Sequence, residues 1–405
     1  MSEQALAGVK VLEFGNLVSA PFCTKLMADL GAEVIKIEEP GQGDEARSRG
    51  PFRKDVPHQE RSGLFLYLNT NKLGITLNPS KSGGQKIFKE LVKQVDILVE
   101  DRPPGEMEEM GLGYNVLKEL NPGLIMASIT PFGQSGAYKD YKAHQLNIAH
   151  VSGQGYLLPM PAPDIKRAPV KPGSYSSDYD PGLVAVVAIL GALYWKRVTG
   201  QGQFIELSKQ EALLSMQRVE SVTFANSGES MTRQGQKRGS MPGGMMPCKD
   251  GYVVSVTPEE HQWKAFMELM GNPQWSNKEF CKDQQARSEN ADKLTELLTE
   301  WTMEHTKEEI FRKGQALSCP IAPVNSAEDV VRSEQLEARG FFVEMEHPEA
   351  GRITRFPTSS YIFSKTPWRL ARPAPLLGEH NEEIYRRRLG YAEEDLMRLE
   401  QDGAI

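Results

Sequence analysis

The sequence has little cysteine: four residues in 405, at Cys23, Cys248, Cys281 and Cys319. They are widely spaced and form no CxxC pair, which argues against both a disulfide framework and a zinc site. His144 and His150 have no carboxylate or cysteine at ligand spacing, so no metal is expected. The formal net charge is −7 and no dense basic run interrupts the chain, so no nucleic-acid partner is expected. The N-terminal stretch MSEQALAGVKVLEFG lacks a basic segment followed by a long apolar run. It does not read as a signal peptide, and a cytoplasmic protein is expected. The apolar block over 183–195 falls short of the roughly 20 residues that span a bilayer, so no membrane partner is expected. No GxGxxG fingerprint joins the first strand to the first helix, which argues against an NAD site. No internal repeat or low-complexity tract is visible.

What is present reads as an ordinary globular chain, with 39% hydrophobic and 25% charged residues. Its length suffices for two or three domains. The pattern predicts a strand over 9–14, a loop over 17–22, a helix over 23–30 stopped by Gly31, and a strand over 33–38. Strand, helix and strand with short connections imply a parallel pair with a right-handed crossover. A strand over 74–77, a helix over 82–95 and a strand over 96–100 continue the alternation. After residue 226 the chain changes character. A glycine- and methionine-rich loop over 235–247 precedes a strand over 253–256 and charged helices. The expected division is a large domain over 1–225, a small domain over 226–325, and a C-terminal part over 326–405 that returns to the large domain.

The chain is organised around residues 171–212. KPGSYSSDYDPG leads into the apolar block, which is followed by KRVTGQGQFIELSKQEA. Ala185, Ala188, Gly191 and Ala192 would let a helix pack closely, which predicts a buried core helix. Asp178 stands just before it. Two roles fit an acidic residue there: a helix cap favoured by the dipole, or a carboxylate at the edge of a core that serves as nucleophile or base.

Asp178-x-x-x-Gly182, the alanine-rich helix, then Thr199-Gly200-x-Gly202-Gln203 and a strand resemble the family III coenzyme A transferases, the CaiB/BaiF family. The resemblance extends over essentially the whole chain. It includes Leu26, Leu30-Gly31-Ala32, Val34-Ile35-Lys36 and Glu38, then Gly43-Asp44 and Arg47. It also includes Asn121-Pro122, Phe132-Gly133-Gln134, and the late stretch Ala374-Pro375-x-Leu377-Gly378-Glu379-His380. It implies an α/β fold with a Rossmann-like large domain, a parallel sheet and a smaller α+β domain. It further implies an interlocked dimer, with a homologous second subunit as the alternative partner. The implied substrates are an acyl-CoA and a carboxylic acid, with CoA arriving as substrate and no permanently bound cofactor.

The resemblance makes Asp178 the catalytic nucleophile. It assigns CoA contacts to Val18, Ser19, Arg47, Lys72, Asp101 and Arg102. Helix-start amides suit phosphates, and an Arg pairs with phosphate or stacks on adenine; a solvated surface charge is the plainer role for Arg47. The family often carries a basic residue where Leu73 and Glu109 stand here. Gly243 and Gly244 are candidates for a loop covering the site, against a plain flexible linker. The related α-methylacyl-CoA racemases pair a histidine at His144 with the aspartate and use a glutamate near Glu260. Their pattern has Asp where this chain has Gln145, and His144 also fits as a filler beside the substrate pocket.

Overall fold

The computed structural model describes residues 4–160, 162, 164–233 and 241–405. Contact density separates two compact units. One comprises Met1–Leu158, Pro169–Val222 and Arg339–Ile405; the other comprises Pro159–Ala168 and Thr223–Ala338.

The larger unit is built on six parallel strands: β1 (Lys10–Phe14), β2 (Glu33–Glu38), β3 (Lys72–Thr76), β4 (Ile97–Glu100), β5 (Ile125–Thr130) and β6 (Phe204–Ser208). Their order is β3-β2-β1-β4-β5-β6. Val11, Leu12, Val34, Ile35, Leu98 and Val99 are all buried, as expected of parallel strands covered on both faces. The helices are α1 (Ser19–Asp29), α2 (Gly63–Leu68), α3 (Ser82–Val92), α4 (Glu106–Glu109), α5 (Tyr114–Leu120), α6 (Gln145–Val151), α7 (Ser176–Thr199) and α8 (Lys209–Met216). On one face α1 and α7 close an apolar core with Cys23, Met27, Ala185 and Ile189. On the other, α3 and α5 do so with Ile87, Phe88 and Leu117, joined by Ile384 and Tyr385 near the C-terminus.

Two helix starts lie earlier than the sequence pattern predicts. Helix α1 begins at Ser19 and includes Pro21. Proline is tolerated in a first turn, where its missing N–H has no helical partner anyway. Helix α7 begins at Ser176 and runs through Pro181 and Gly182 for 24 residues. By length and composition it is the one candidate membrane span among the described residues. Its ends are nonetheless tied by ion pairs, Asp178 to Lys209 and Lys196 to Asp96. The expected buried core helix is buried along one side only. Ala185, Ile189 and Ala192 face the core, while Leu183, Val187, Tyr194 and Val198 are exposed.

In the smaller unit β7 (Gly244–Cys248), β8 (Gly251–Ser255) and β9 (Ile321–Pro323) form an antiparallel sheet. Helices Glu260–Leu269, Ala291–Thr302 and Lys307–Ala316 supply Phe266, Leu294, Leu298 and Ile310 to its core. Back in the larger unit, β10 (Phe342–His347) and β11 (Gly351–Pro357) form a hairpin.

Candidate active site

The neighbours β1 and β4 send their following helices to opposite faces of the sheet: α1 packs in one core, α4 and α5 in the other. A crevice opens outside the carboxyl ends of such a strand pair, and doubly wound sheets hold ligands there. A cavity of about 750 Å³ lies at that place. Asn16, Leu17 and Val18 line it from the loop after β1, and Asp101 to Pro104 from the loop after β4. Lys139, Tyr141, Lys142, His144 and Tyr175 extend the lining, and Asp178 and Lys209 belong to it.

Asp178 is the third residue of α7, where the helix dipole favours a negative charge. It is not the N-cap. Tyr175 holds that position and makes no side-chain capping bond. Asp178 Oδ1 accepts from Lys209 Nζ at 2.9 Å. The Ser19 hydroxyl lies 2.9 Å from Asp178 O and 3.4 Å from Asp178 Oδ1, so its single proton is better placed for the carbonyl. This contact needs α1 and α7 to be close, and Gly182 permits it. A Cβ at Gly182 would lie 2.7 Å from Ser19 O. Lys209 opens α8 directly after Ser208, whose hydroxyl caps that helix.

The loops on either side of the crevice are tied together. Asp101 Oδ2 accepts from Asn16 N at 2.8 Å, and Asp101 Oδ1 pairs with Arg102 Nη2 at 2.9 Å. The Arg102 guanidinium sits over the Phe14 ring, 4.8 Å from its centroid. Its Nε is buried with no hydrogen-bond partner, which leaves one donor beside the cavity unused. Beneath the loop Glu100 is 1% exposed and accepts from Arg102 N at 2.6 Å. Burial pushes its carboxyl up to about 7, against the downward pull of Ser128 and the Arg102 amide.

The structure gathers some of the expected residues and disperses others. Val18, Asp101, Arg102, His144 and Asp178 share the cavity lining. Ser19 turns its hydroxyl to Asp178. Arg47 and Lys72, expected as CoA contacts, are buried inside the fold. Arg47 is 1% exposed, paired with Glu38 and Glu60, bonded to Pro375 O, and stacked on Phe65 at 3.7 Å. With both carboxylates on its guanidinium it is not a solvated charge, and the donors a phosphate would need are already engaged. Lys72 is fully buried and bonded to Glu13, Asn69 and Pro21 O. Leu73 is buried in β3, and Glu109 is exposed on α4.

Three other candidates belong to the smaller unit. Glu260 starts a helix and pairs with Arg287 at 2.7 Å. The Gly243 amide is already donated to Thr295 Oγ1 at 3.1 Å, and Gly244 begins β7. Residues 235–240 of the predicted glycine-rich loop lie outside the described residues. Among the described residues no group of three or more His, Cys, Asp or Glu side chains is arranged to hold a metal.

Sequence reasoning assigned no role to Lys209, Asn16, Leu17, Arg49, Lys139 or Lys142. Lys209 stands 31 residues beyond its partner, a separation that local patterning does not register.

Comparison with known proteins gives the family. A profile described as CoA-transferase family III matches residues 6–381. The succinyl-CoA–L-malate CoA-transferase beta subunit of Chloroflexus aurantiacus is 31% identical over 99% of this chain and 98% of its own. The formyl-CoA:oxalate CoA-transferase of Streptomyces coelicolor is 32% identical over the full length of both chains. A CaiB/BaiF family protein from Brucella suis superposes with a TM-score of 0.84 at 28% identity, covering 95% of this chain and 99% of that one. With the profile spanning most of its length and relatives aligned end to end, the chain belongs to family III of the CoA-transferases.

Proposed function

We propose that the enzyme moves coenzyme A from an acyl-CoA donor to a free carboxylic acid, with Asp178 as the covalent nucleophile. One observation supports this above the others: the Asp178 carboxylate sits in the lining of the cavity at the crevice between β1 and β4. In this reading Asp178 attacks the donor carbonyl, giving a mixed anhydride and CoA thiolate. The thiolate then takes the aspartyl carbonyl, giving an aspartyl-CoA thioester, and the donor's acid departs. The acceptor carboxylate attacks that thioester, and the same steps run in reverse. A carboxylate needs no deprotonation at neutral pH, and each adduct is itself activated, so the half-steps lie near balance. Arg49, Arg102, Lys139 and Lys142 line the cavity beside the acids Glu45, Asp101 and Asp140; in this reading these cations exchange those partners for the CoA phosphates. The relatives named for malate and oxalate point to a short dicarboxylic acid as acceptor.

A panel of acyl-CoA donors and carboxylates, read by mass spectrometry in deuterated water, tests this. CoA is expected on the acceptor, only when acceptor is present, with the donor's α-proton retained. A second reading, racemisation, is favoured by one fact: His144 lines the same cavity as Asp178. His144→Ala is expected to slow transfer by less than about tenfold, short of the roughly 10²–10⁴ that a general base supplies. Fast α-proton exchange that needs no acceptor and disappears in His144→Ala would establish the racemase instead.

The protein is further proposed to act as a dimer of identical chains, in the interlocked form that the family implies. The exposed apolar line of α7, with Val187 65% and Tyr194 72% exposed, supports a second copy as its cover, since such patches mark contact sites. Tagged and untagged dimers are expected not to exchange subunits under native conditions. Rapid exchange excludes interlocking, and a stable complex only with a different homologous chain replaces the homodimer.

A further inference from the structure

We propose that Lys209 is the standing counter-ion of the transfer, bound to Asp178 in the free enzyme and then to each anion that the reaction releases or takes up. The inference rests on the Asp178 chemistry above. Its geometry is direct. Lys209 Nζ lies 2.9 Å from Asp178 Oδ1, and both residues line the cavity. Their side chains are 17% and 13% exposed. The pair is therefore too sheltered to be a solvated surface bridge, yet open to a ligand in the cavity. Each partner is held by a separate element. Ser208, just before Lys209, pairs with Thr130 in the sheet and caps α8. Asp178 is carried by α7, which packs on α1 through Gly182.

The charges at the site follow from the bonds made and broken. An Asp178 oxygen bonds to the donor's acyl carbon. The C–S bond breaks and its electron pair leaves on sulfur. The carboxylate has become a neutral anhydride, so Lys209 loses its partner as a thiolate appears beside it. The thiolate attacks the Asp178 carbonyl carbon and expels the donor's acid as a carboxylate. Lys209 again faces a neutral aspartyl group and a free anion. The acceptor carboxylate enters to the same ammonium and attacks the aspartyl-CoA carbonyl, and the reverse sequence returns the negative charge to Asp178. No proton moves in any of these steps, and the summed charge stays constant. A fixed cation in a poorly hydrated site stabilises each passing anion far better than water-exposed charge would.

The test uses Lys209→Cys. The four native cysteines are buried, so the introduced thiol can be alkylated selectively. This variant is expected to lose about 10²-fold in kcat, the scale seen when one preorganised electrostatic donor is removed, with a melting curve close to wild type. Bromoethylamine rebuilds an ammonium of nearly lysine length and is expected to restore most of the loss. Iodoacetamide adds a neutral group of similar bulk and is expected to restore none. Wild type is treated in parallel with acyl-CoA and hydroxylamine to detect an Asp178 adduct. An unimpaired variant, equal recovery with either reagent, or unfolding that aminoethylation does not reverse would each overturn the role of Lys209. If the wild-type adduct forms and the variant is unimpaired, only this inference falls. If no adduct forms on wild type, the covalent reading falls and this one with it.

Discussion

Asp178→Asn is expected to leave the fold intact and to lower CoA transfer by on the order of 10⁴-fold or more, the scale seen when a covalent nucleophile is removed. The amide keeps the size of the side chain and an oxygen that can still accept from Lys209. What it loses is the negative charge and the ability to form an anhydride. A purely structural Asp178 makes a different forecast. As a first-turn acid it contributes about 0.3–1 kcal/mol through the helix dipole, and even a true N-cap contributes only about 0.5–2 kcal/mol. Its loss would then move the melting temperature by a few degrees and leave the surviving enzyme at a normal rate. Two measurements separate the roles. Circular dichroism melting should give nearly superimposable curves. Steady-state transfer should collapse, and the hydroxamate expected on Asp178 in wild type treated with acyl-CoA and hydroxylamine should be absent. Near wild-type activity in a preparation shown by mass spectrometry to be free of deamidated protein would remove Asp178 from the chemistry.

The parts of this molecule legible in its sequence are those that local physics dictates. Strands β1 and β2 read clearly because VLEF and EVIKIE are rich in the branched and aromatic residues that strands favour, although Glu13, Lys36 and Glu38 within them are buried too. Helix starts read less well where proline stands in the first turns. Pro21 and Pro181 look like breakers but lie inside α1 and α7. Gly182 likewise looks like a boundary, yet its place is set by the approach of Ser19 O across the helix crossing. Asp178 could be singled out because it stands beside a conspicuous apolar block. Its partner could not, since Lys209 reaches it only once β6 has carried the chain back to the sheet. The surroundings of Arg47 and Lys72 were hidden for the same reason. Their carboxylate partners, Glu38 and Glu60 for one and Glu13 for the other, are up to 59 residues away. A lone charge in a sequence does not show whether it will meet a phosphate, water or a buried acid.

Glu13→Gln is expected to destabilise the protein by about 3–5 kcal/mol, the scale for breaking a buried ion pair from one side. Glu13 is fully buried in β1. It accepts from Lys36 at 2.7 Å on one oxygen, and from Lys72 at 2.8 Å and Thr24 at 2.5 Å on the other. Lys36 also bonds Asp44 at 2.7 Å and Gly15 O at 3.0 Å. The group thus holds two ammoniums against two carboxylates, and the substitution leaves two against one. Burial alone would raise the Glu13 carboxyl, but Lys36 and Lys72 outweigh it and take it down to about 2. The folded value lies below the ordinary 4.5. The stabilisation is therefore complete above about pH 4.5 and is lost as pH falls through about 2. The stability gap between wild type and Glu13→Gln should be widest near neutrality, clearly narrowed by pH 2.5, and closed only below about pH 2. The catalytic consequence follows from Asp44. Its other oxygen accepts from Leu17 N at 3.0 Å and Ala46 N at 2.7 Å. Those bonds help hold Leu17 at φ 60, in the left-handed region that a leucine seldom adopts. Leu17 lines the cavity, so loosening Lys36 from its acids releases the wall opposite Arg102. A shift of about 1 Å there is worth roughly 10²-fold in rate. Urea titrations at several pH values, with transfer assays well below the melting temperature, read both effects. A variant as stable as wild type at pH 7, or a gap unchanged down to pH 2.5, would show that the buried charges do not hold this end of the sheet together.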